Sequence, residues 1–288
     1  MKVDFHCHST ASDGTFTPRE IADQAERGGF SVLALTDHDN CDGVAELMRC
    51  NAGGTKFVTG IELSIDPGKG FDRFHLLGLG IDPQNGPLRD FLRRILDGRN
   101  ARNDRILENF RRLGIEMTLE DLAPYAHGDV LARPHFARWL MDHGFVASVA
   151  EAFDRYLADY SPAETRCYEE RFHPSQEDAF RIVHGAGGLC VMAHPKYWRR
   201  YWKDTGPEYA DAERELSRLK EAGLDGLEAI YQANSVEEDV QFQRIADRLG
   251  YLKTAGSDFH GINKPQIHLG MEVPESYIAP FLNRLNLI

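Results

Sequence analysis

VDFHCHS, residues 3–9, forms the first apolar run of the chain and ends on two histidines one residue apart. A β-strand alternates its faces, so His6 and His8 project the same way while Cys7 points to the other side. One cation could take both imidazoles. Outward from this pair, histidines and carboxylates recur at the ends of later apolar runs: TDHD at Thr36 to Asp39, GIE at Gly60 to Glu62, His75 in FHLLG, AHP at Ala193 to Pro195, and SDFH at Ser257 to His260. If these segments end beside the first, they build a multi-metal basket of nitrogen and oxygen ligands.

The runs between them set the fold. Val3–Phe5 reads as a strand, followed by a helix over Pro18–Arg27 with Thr17 as N-cap, Pro18 at its first position and Gly28-Gly29 ending it. Strand Ser31–Leu35, helix Gly43–Cys50 with Asp42 as cap, and strand Phe57–Leu63 complete a βαβαβ pattern, which favours a parallel sheet or barrel. The linker from Ser64 to Arg73 is too short for a crossover helix, so Phe74–Ile81 is expected to return as a hairpin partner. From Leu88 to about Ala186 the pattern turns helical, with Leu88–Leu113 interrupted near Gly98. Alternation then resumes with strand Leu189–Met192, helix Asp211–Ala222, strand Gly226–Ile230, helix Val236–Leu249 and strand Lys253–Ala255. The expected architecture is α/β: a distorted (β/α)7 barrel from residues 1–86 and 187–288, with residues 87–186 inserted as a helical cap covering the active site.

Bulk properties narrow the function. The 288 residues suffice for a large core without disulfides, and the five scattered cysteines lack any CxxC pairing, which suits reduced thiols. No leader-like or membrane-spanning apolar run is visible, so the expectation is a soluble cytoplasmic protein with no membrane partner. A net charge of -12 argues against duplex DNA but leaves room for a small phosphorylated substrate at a metal site.

Each candidate ligand alone has a bland reading. A lone histidine is usually a hydrogen-bonded structural residue, Asp37 or Asp39 could cap a turn, and Asp13 in SDG is an ordinary turn aspartate. Collectively, however, His6, His8, His38, Glu62, His194, Asp258 and His260 fall at carboxyl ends of strands, where barrels gather their active groups. His75 lies early in its strand, and an antiparallel pairing would still bring it to Glu62.

Together DFHCHS, SDG, TDHD, GIE, FHLLG, AHP and SDFH resemble the signature of the PHP (polymerase and histidinol phosphatase) family of metal-dependent phosphoesterases, in the right order over nearly the whole chain. The resemblance implies a distorted seven-stranded barrel and two or three metal ions. It implies His6, His8, Glu62 and Asp258 around one ion, Glu62, His75 and His194 around the next, and Asp13, His38 and His260 around a third. Imidazole and carboxylate donors fit Mn2+, Zn2+ or Fe2+; Mn2+ is expected from the carboxylate content and the resemblance. The expected nucleophile is metal-bound hydroxide, with His194 and Asp258 as catalytic positions.

Substrate contacts are expected from the insertion. GRNARNDRI spaces Arg99, Arg102 and Arg105 three apart, roughly on one helical face with Asn103 beside them, as a phosphate clamp would use; the bland reading is a solvated arginine face. In LARPHFARWL, Pro134 suits a first helical turn, placing Arg133 and His135 at a helix start that favours an anion. Lys196, Asn234 and the aromatic cluster Tyr197, Trp198, Tyr201 and Trp202 are further candidates, with packing as the alternative for the rings. The RPH segment resembles the YciV-like branch of the family, which implies removal of the 3'-phosphate from nucleoside 3',5'-bisphosphates. The alternatives are 5'-3' exonuclease or phosphodiesterase action on short RNA, weaker still histidinol phosphate hydrolysis, and, from another class, a non-catalytic metal-dependent phospholigand-binding module. The departures from that branch, YQANS and AHPKYW, touch the expected substrate pocket and no expected metal ligand.

Overall fold

β1 (Lys2–Asp4), β2 (Val32–Leu35) and β3 (Lys56–Ile65) lie parallel and adjacent, joined by α1 (Pro18–Arg27) and α2 (Asp42–Arg49). The computed structural model describes residues 1–50, 53–69, 71–126, 130–198 and 210–288; Tyr201 and Trp202 of the expected aromatic cluster lie outside them. Local chemistry explains the first crossover. Thr17 Oγ1 accepts from the Glu20 N–H at 3.2 Å while Glu20 Oε2 accepts from the Thr17 N–H at 2.8 Å, a reciprocal cap that starts α1 where the sequence predicts. The start of α2 differs: Asp42 is its first helical residue rather than its cap, and Cys41 precedes it without a side-chain cap bond.

β4 (Phe74–Leu79) returns antiparallel to β3, with Glu62 opposite Leu77 and Ser64 opposite His75, so the start of β4 meets the end of β3. β5 (Leu189–Met192) is antiparallel to β4, and β6 (Gly226–Tyr231) and β7 (Leu252–Gly256) continue in parallel. Hydrogen bonds beyond the ladders close the barrel. The Phe5 N–H donates to Ala255 O at 3.0 Å, the Asp258 N–H to His6 O at 2.8 Å, and the His8 N–H to Phe259 O at 2.9 Å. Closure requires Gly256, because a Cβ there would stand 2.5 Å from His6 Cβ and 2.1 Å from Glu228 Oε1. An eighth strand, β8 (Met271–Glu272), pairs antiparallel with β1. It escapes the sequence pattern because two residues carry no alternation.

The helical block comprises α3 (Gly86–Arg112), α4 (Leu119–Leu122), α5 (Arg133–Asp142), α6 (Val149–Ala152) with a following π-helical turn (Phe153–Leu157), and α7 (Gln176–Gly185). The break expected near Gly98 does not occur. α3 runs through it, and the bare Gly98 Cα admits Phe172, whose Cβ would lie 2.7 Å from any added methyl. Leu88, Phe91 and Ile95 of α3 pack with Phe180 and Val183 of α7 in the barrel's apolar cluster, whereas Ile106 and Phe110 join Phe136, Leu140 and Leu157 in a separate core. α8 (Ala210–Glu221) follows β5, α9 (Val236–Leu249) packs on β6, and α10 (Glu275–Arg284) packs on β7. Among the described residues, no helix is long and apolar enough to cross a membrane.

Candidate metal centre and substrate cleft

Strand ends deliver the nine expected ligand residues to one place. His6 and His8 leave β1 on the same side, as alternation requires, with their Nε2 atoms 3.2 Å apart; Cys7 faces away, its thiol donating to Ala34 O at 3.3 Å. Glu62, at 0% exposure, is the hub: Oε1 lies 2.8 Å from His75 Nδ1, 3.2 Å from His194 Nε2 and 3.3 Å from His6 Nε2, and Oε2 lies 2.8 Å from His38 Nδ1. Among these nine residues, donor atoms close enough for one ion form four groups: His6, His8 and Asp258; His6, Glu62 and His194; His38, Glu62 and His75; and His8, Asp13, His38 and His260. These groups bring together the nine residues expected from the sequence, in a finer partition. His8 joins the Asp13 group, and His75 pairs with His38 rather than with His194.

The donor set fits divalent metal. Buried Glu62 Oε2 and His8 Nδ1 make no hydrogen bond, although Glu62 Oε2 has an imidazole nitrogen 2.8 Å away. Donor atoms this close that do not align on one another are aimed at a common centre. Charge is arranged likewise. Burial opposes ionisation of Asp13, Glu62 and Asp258, yet the surrounding imidazoles overcome it and hold all three well below the usual carboxylate range. Burial also opposes the charged form of His8, but Asp258 and Glu62 lift it to about 9. A cation must displace such protons, so its uptake strengthens as pH rises.

Supporting contacts fix these ligands. Glu228 Oε1 sits 3.0 Å from His6 Nδ1 and its Oε2 accepts the His194 N–H at 2.5 Å, while Asp37 accepts from Ser9 N–H and from the Ser9 and Ser12 hydroxyls. Asp258 turns Oδ2 to Tyr231 Oη (3.0 Å) and Lys264 Nζ (2.6 Å), leaving Oδ1 toward the histidines. Asp39, His194 and Asp258 hold positive φ (53°, 28° and 60°), strain expected where a loop must aim a side chain. Sequence reasoning passed over Glu228 as an interior residue of an apolar strand. An acid inside GLEAIY was the available signal. Glu228→Gln should weaken metal binding about 10–100-fold, the usual effect of losing a carboxylate behind a ligand histidine; calorimetric titration of metal into the stripped protein reads it, and native affinity would exclude this role.

Beside the centre opens a cleft of 340 Å³, sharing Asp13, His38 and His75 with it and lined by Arg73, Arg99, Arg102, Arg133 and Arg171. The overall charge is -12, so these cations are segregated to one mouth. Arg99 and Arg171 (2.9 Å) both bond Asp39 Oδ2; burial opposes that carboxylate's charge, but the two arginines outweigh it and set Asp39 at about 2. Arg133 donates to Leu157 O at 3.1 Å and lies over the Tyr168 ring. Arg102 differs. It is 3% exposed, its Nε and Nη2 have no hydrogen-bond partner, and burial with Arg99, Arg133 and Arg171 pushes it down to about 8.

Five other expected contacts lie elsewhere. Arg105 is turned to Glu170 O (2.7 Å), because three residues advance a helix by about 300°, so each step rotates the face and Arg105 sits about 120° from Arg99. Asn103 is buried and donates to Leu131 O at 3.0 Å. His135 Nδ1 accepts the Ala132 N–H at 3.0 Å and caps α5. Lys196 is held by Ala233 O and Glu238 (2.9 Å), and Asn234 donates to Asp239 at 2.8 Å, both facing the first turn of α9. Arg171 and His173 were missed although RFHP carries the same Arg-x-His spacing as RPH.

Residues 4–225 match the model of the PHP domain family, and the chain belongs to that family. It is 35% identical over 267 residues to the 3',5'-nucleoside bisphosphate phosphatase of Chromobacterium violaceum, covering 90% of this chain and 87% of that one. It is 31% identical over 261 residues to a 5'-3' exoribonuclease of Haemophilus influenzae, covering 90% of each. A solved structure from Bifidobacterium adolescentis, described as a metal-dependent phosphoesterase, matches with TM-score 0.79 at 29% identity over 98% of this chain and 96% of that one. The protein is a PHP-family phosphoesterase, a hydrolase.

Proposed function

We propose that this phosphoesterase is a manganese-dependent phosphatase that removes the 3'-phosphate from nucleoside 3',5'-bisphosphates, releasing a nucleoside 5'-phosphate and inorganic phosphate. The observation that carries this reading is Arg102: a buried guanidinium with two unpartnered nitrogens, in a cleft that opens directly on the metal-capable cluster. A site for one phosphate needs no second cationic pocket, whereas a substrate with two phosphates does. Similarity to the Chromobacterium violaceum phosphatase supports the same choice.

In this reading His6, His8, Asp13, His38, Glu62, His75, His194, Asp258 and His260 hold two or three metal ions. Bound divalent cations would activate water and neutralise charge developing on the phosphoryl oxygens. Arg102 and Arg133 bind the other phosphate, and Asp39 fixes Arg99 and Arg171 at their side. Residues 87–186 act as a cap that carries Arg99, Arg102 and Arg133 to the mouth of the centre. Five free thiols and a nucleotide substrate fit a cytoplasmic setting.

The deciding experiment incubates the manganese-loaded protein with adenosine 3',5'-bisphosphate, a short 5'-phosphorylated RNA and histidinol phosphate, and follows phosphate and nucleotide release. AMP and phosphate from the first substrate are expected, and lost on His194→Ala. RNA turnover without bisphosphate hydrolysis would overturn the reading in favour of the exonuclease.

A further inference from the structure

A second opening, of 490 Å³, adjoins the same centre. It shares Asp13, His38, Pro134 and Phe153 with the arginine cleft, and reaches His260 and Lys264 on its other side. Its walls are of another character. Met141 and Phe153 from the helical block face Ile262 of the barrel's 261–263 turn, and Met141 and Ile262 are 37% and 67% exposed. Apolar side chains gathered around a concave surface next to a catalytic centre mark a place that a ligand covers. The volume lies within the range of about 300–1,000 Å³ usual for small-molecule sites.

The occupant follows from connectivity and charge. Because the slot opens on His38 and His260, whatever fills it must be attached to the group held at the centre. A phosphate belongs in the other cleft, where five guanidiniums converge, since apolar walls would desolvate an anion in the slot, whose two flanking cations are Arg138 and a Lys264 already paired with Asp258 at 2.6 Å. What remains of a nucleotide is its base, a planar ring with apolar faces. We infer that the slot between Met141, Phe153 and Ile262 is the nucleobase subsite, so that the substrate straddles the centre with a phosphate in the arginine cleft and its base in the apolar slot. This rests on the bisphosphate phosphatase reading.

The test compares deoxyadenosine 3',5'-bisphosphate with deoxyribose 3,5-bisphosphate, the same diester-free skeleton without a base. Stacking and burial of a base are expected to give the nucleotide a KM at least about tenfold lower. Met141→Asp and Ile262→Asp, both at exposed positions, should erase most of that ratio, while Leu119→Asp, on the far part of the block, should keep it. Equal KM values for the two substrates, or an unchanged ratio in both slot variants, would overturn the subsite. Failure to hydrolyse either compound would instead refute the phosphatase reading; calorimetric binding of deoxyadenosine 5'-phosphate against deoxyribose 5-phosphate then decides the slot, with equal affinities counting against it.

Discussion

Glu62→Gln is expected to remove most bound metal and to lower turnover by about a thousandfold, on the scale of losing a principal electrostatic element of an active site. The substitution preserves shape and removes one charge from the hub that His6, His8, His38, His75 and His194 surround within 3.3 Å. Local folding does not depend on that charge. The Glu62 N–H donates to Asp37 O at 3.1 Å and Glu62 O accepts from the Asp39 N–H at 2.8 Å, so the backbone joint between β3 and the TDHD loop survives. Two of the four candidate groups contain Glu62; each keeps two histidines but loses its only carboxylate. Metal per chain by plasma mass spectrometry and phosphate release from the same preparation give the answer. A full metal complement with native turnover would show that Glu62 is merely a buried partner for histidines.

Legibility from the sequence tracked how local each signal is. His6, His8 and Cys7 were assigned to faces correctly because strand alternation is a property of the backbone itself. His75 was recovered from chain length alone, since the Ser64–Arg73 linker leaves no room for a parallel return and the antiparallel register then puts His75 opposite Ser64. Arg105 shows where such rules lose accuracy: a three-residue spacing holds a helix face for one step and drifts off it over two. Lys196 and Asn234 do sit at strand ends, but that position does not reveal that Glu238 and Asp239, from a helix some forty and five residues on, capture them. Arg171 and Glu228 were missed for the converse reason. Each gains its role from a partner distant in sequence, Asp39 for Arg171 and His6 for Glu228.

Arg102→Met is expected to stabilise the metal-free protein while crippling it as an enzyme, and the opposite signs distinguish a binding residue from a structural one. Burial, reinforced by Arg99, Arg133 and Arg171, sets Arg102 at about 8 against an ordinary value of 12.5. A basic group whose folded value is depressed disfavours the fold wherever it must carry its charge: the penalty is fully present below pH 8 and relieved as pH rises from there toward 12.5. Methionine fills similar space without charge, so removing the penalty should raise the melting temperature at pH 7 by several degrees, about 2–4 °C per kcal/mol for a domain of this order. The same change deletes the one cleft guanidinium with two unpartnered nitrogens. The KM for a nucleoside bisphosphate should rise about a hundredfold, a loss of about 3 kcal/mol typical for a charge-assisted contact. Arg99→Met provides the contrast, because Arg99 is bound to Asp39 and its loss should destabilise the fold. Melting curves and Michaelis constants of the two variants suffice. A destabilised Arg102→Met enzyme with native KM would mean that the guanidinium supports the cap and meets no substrate.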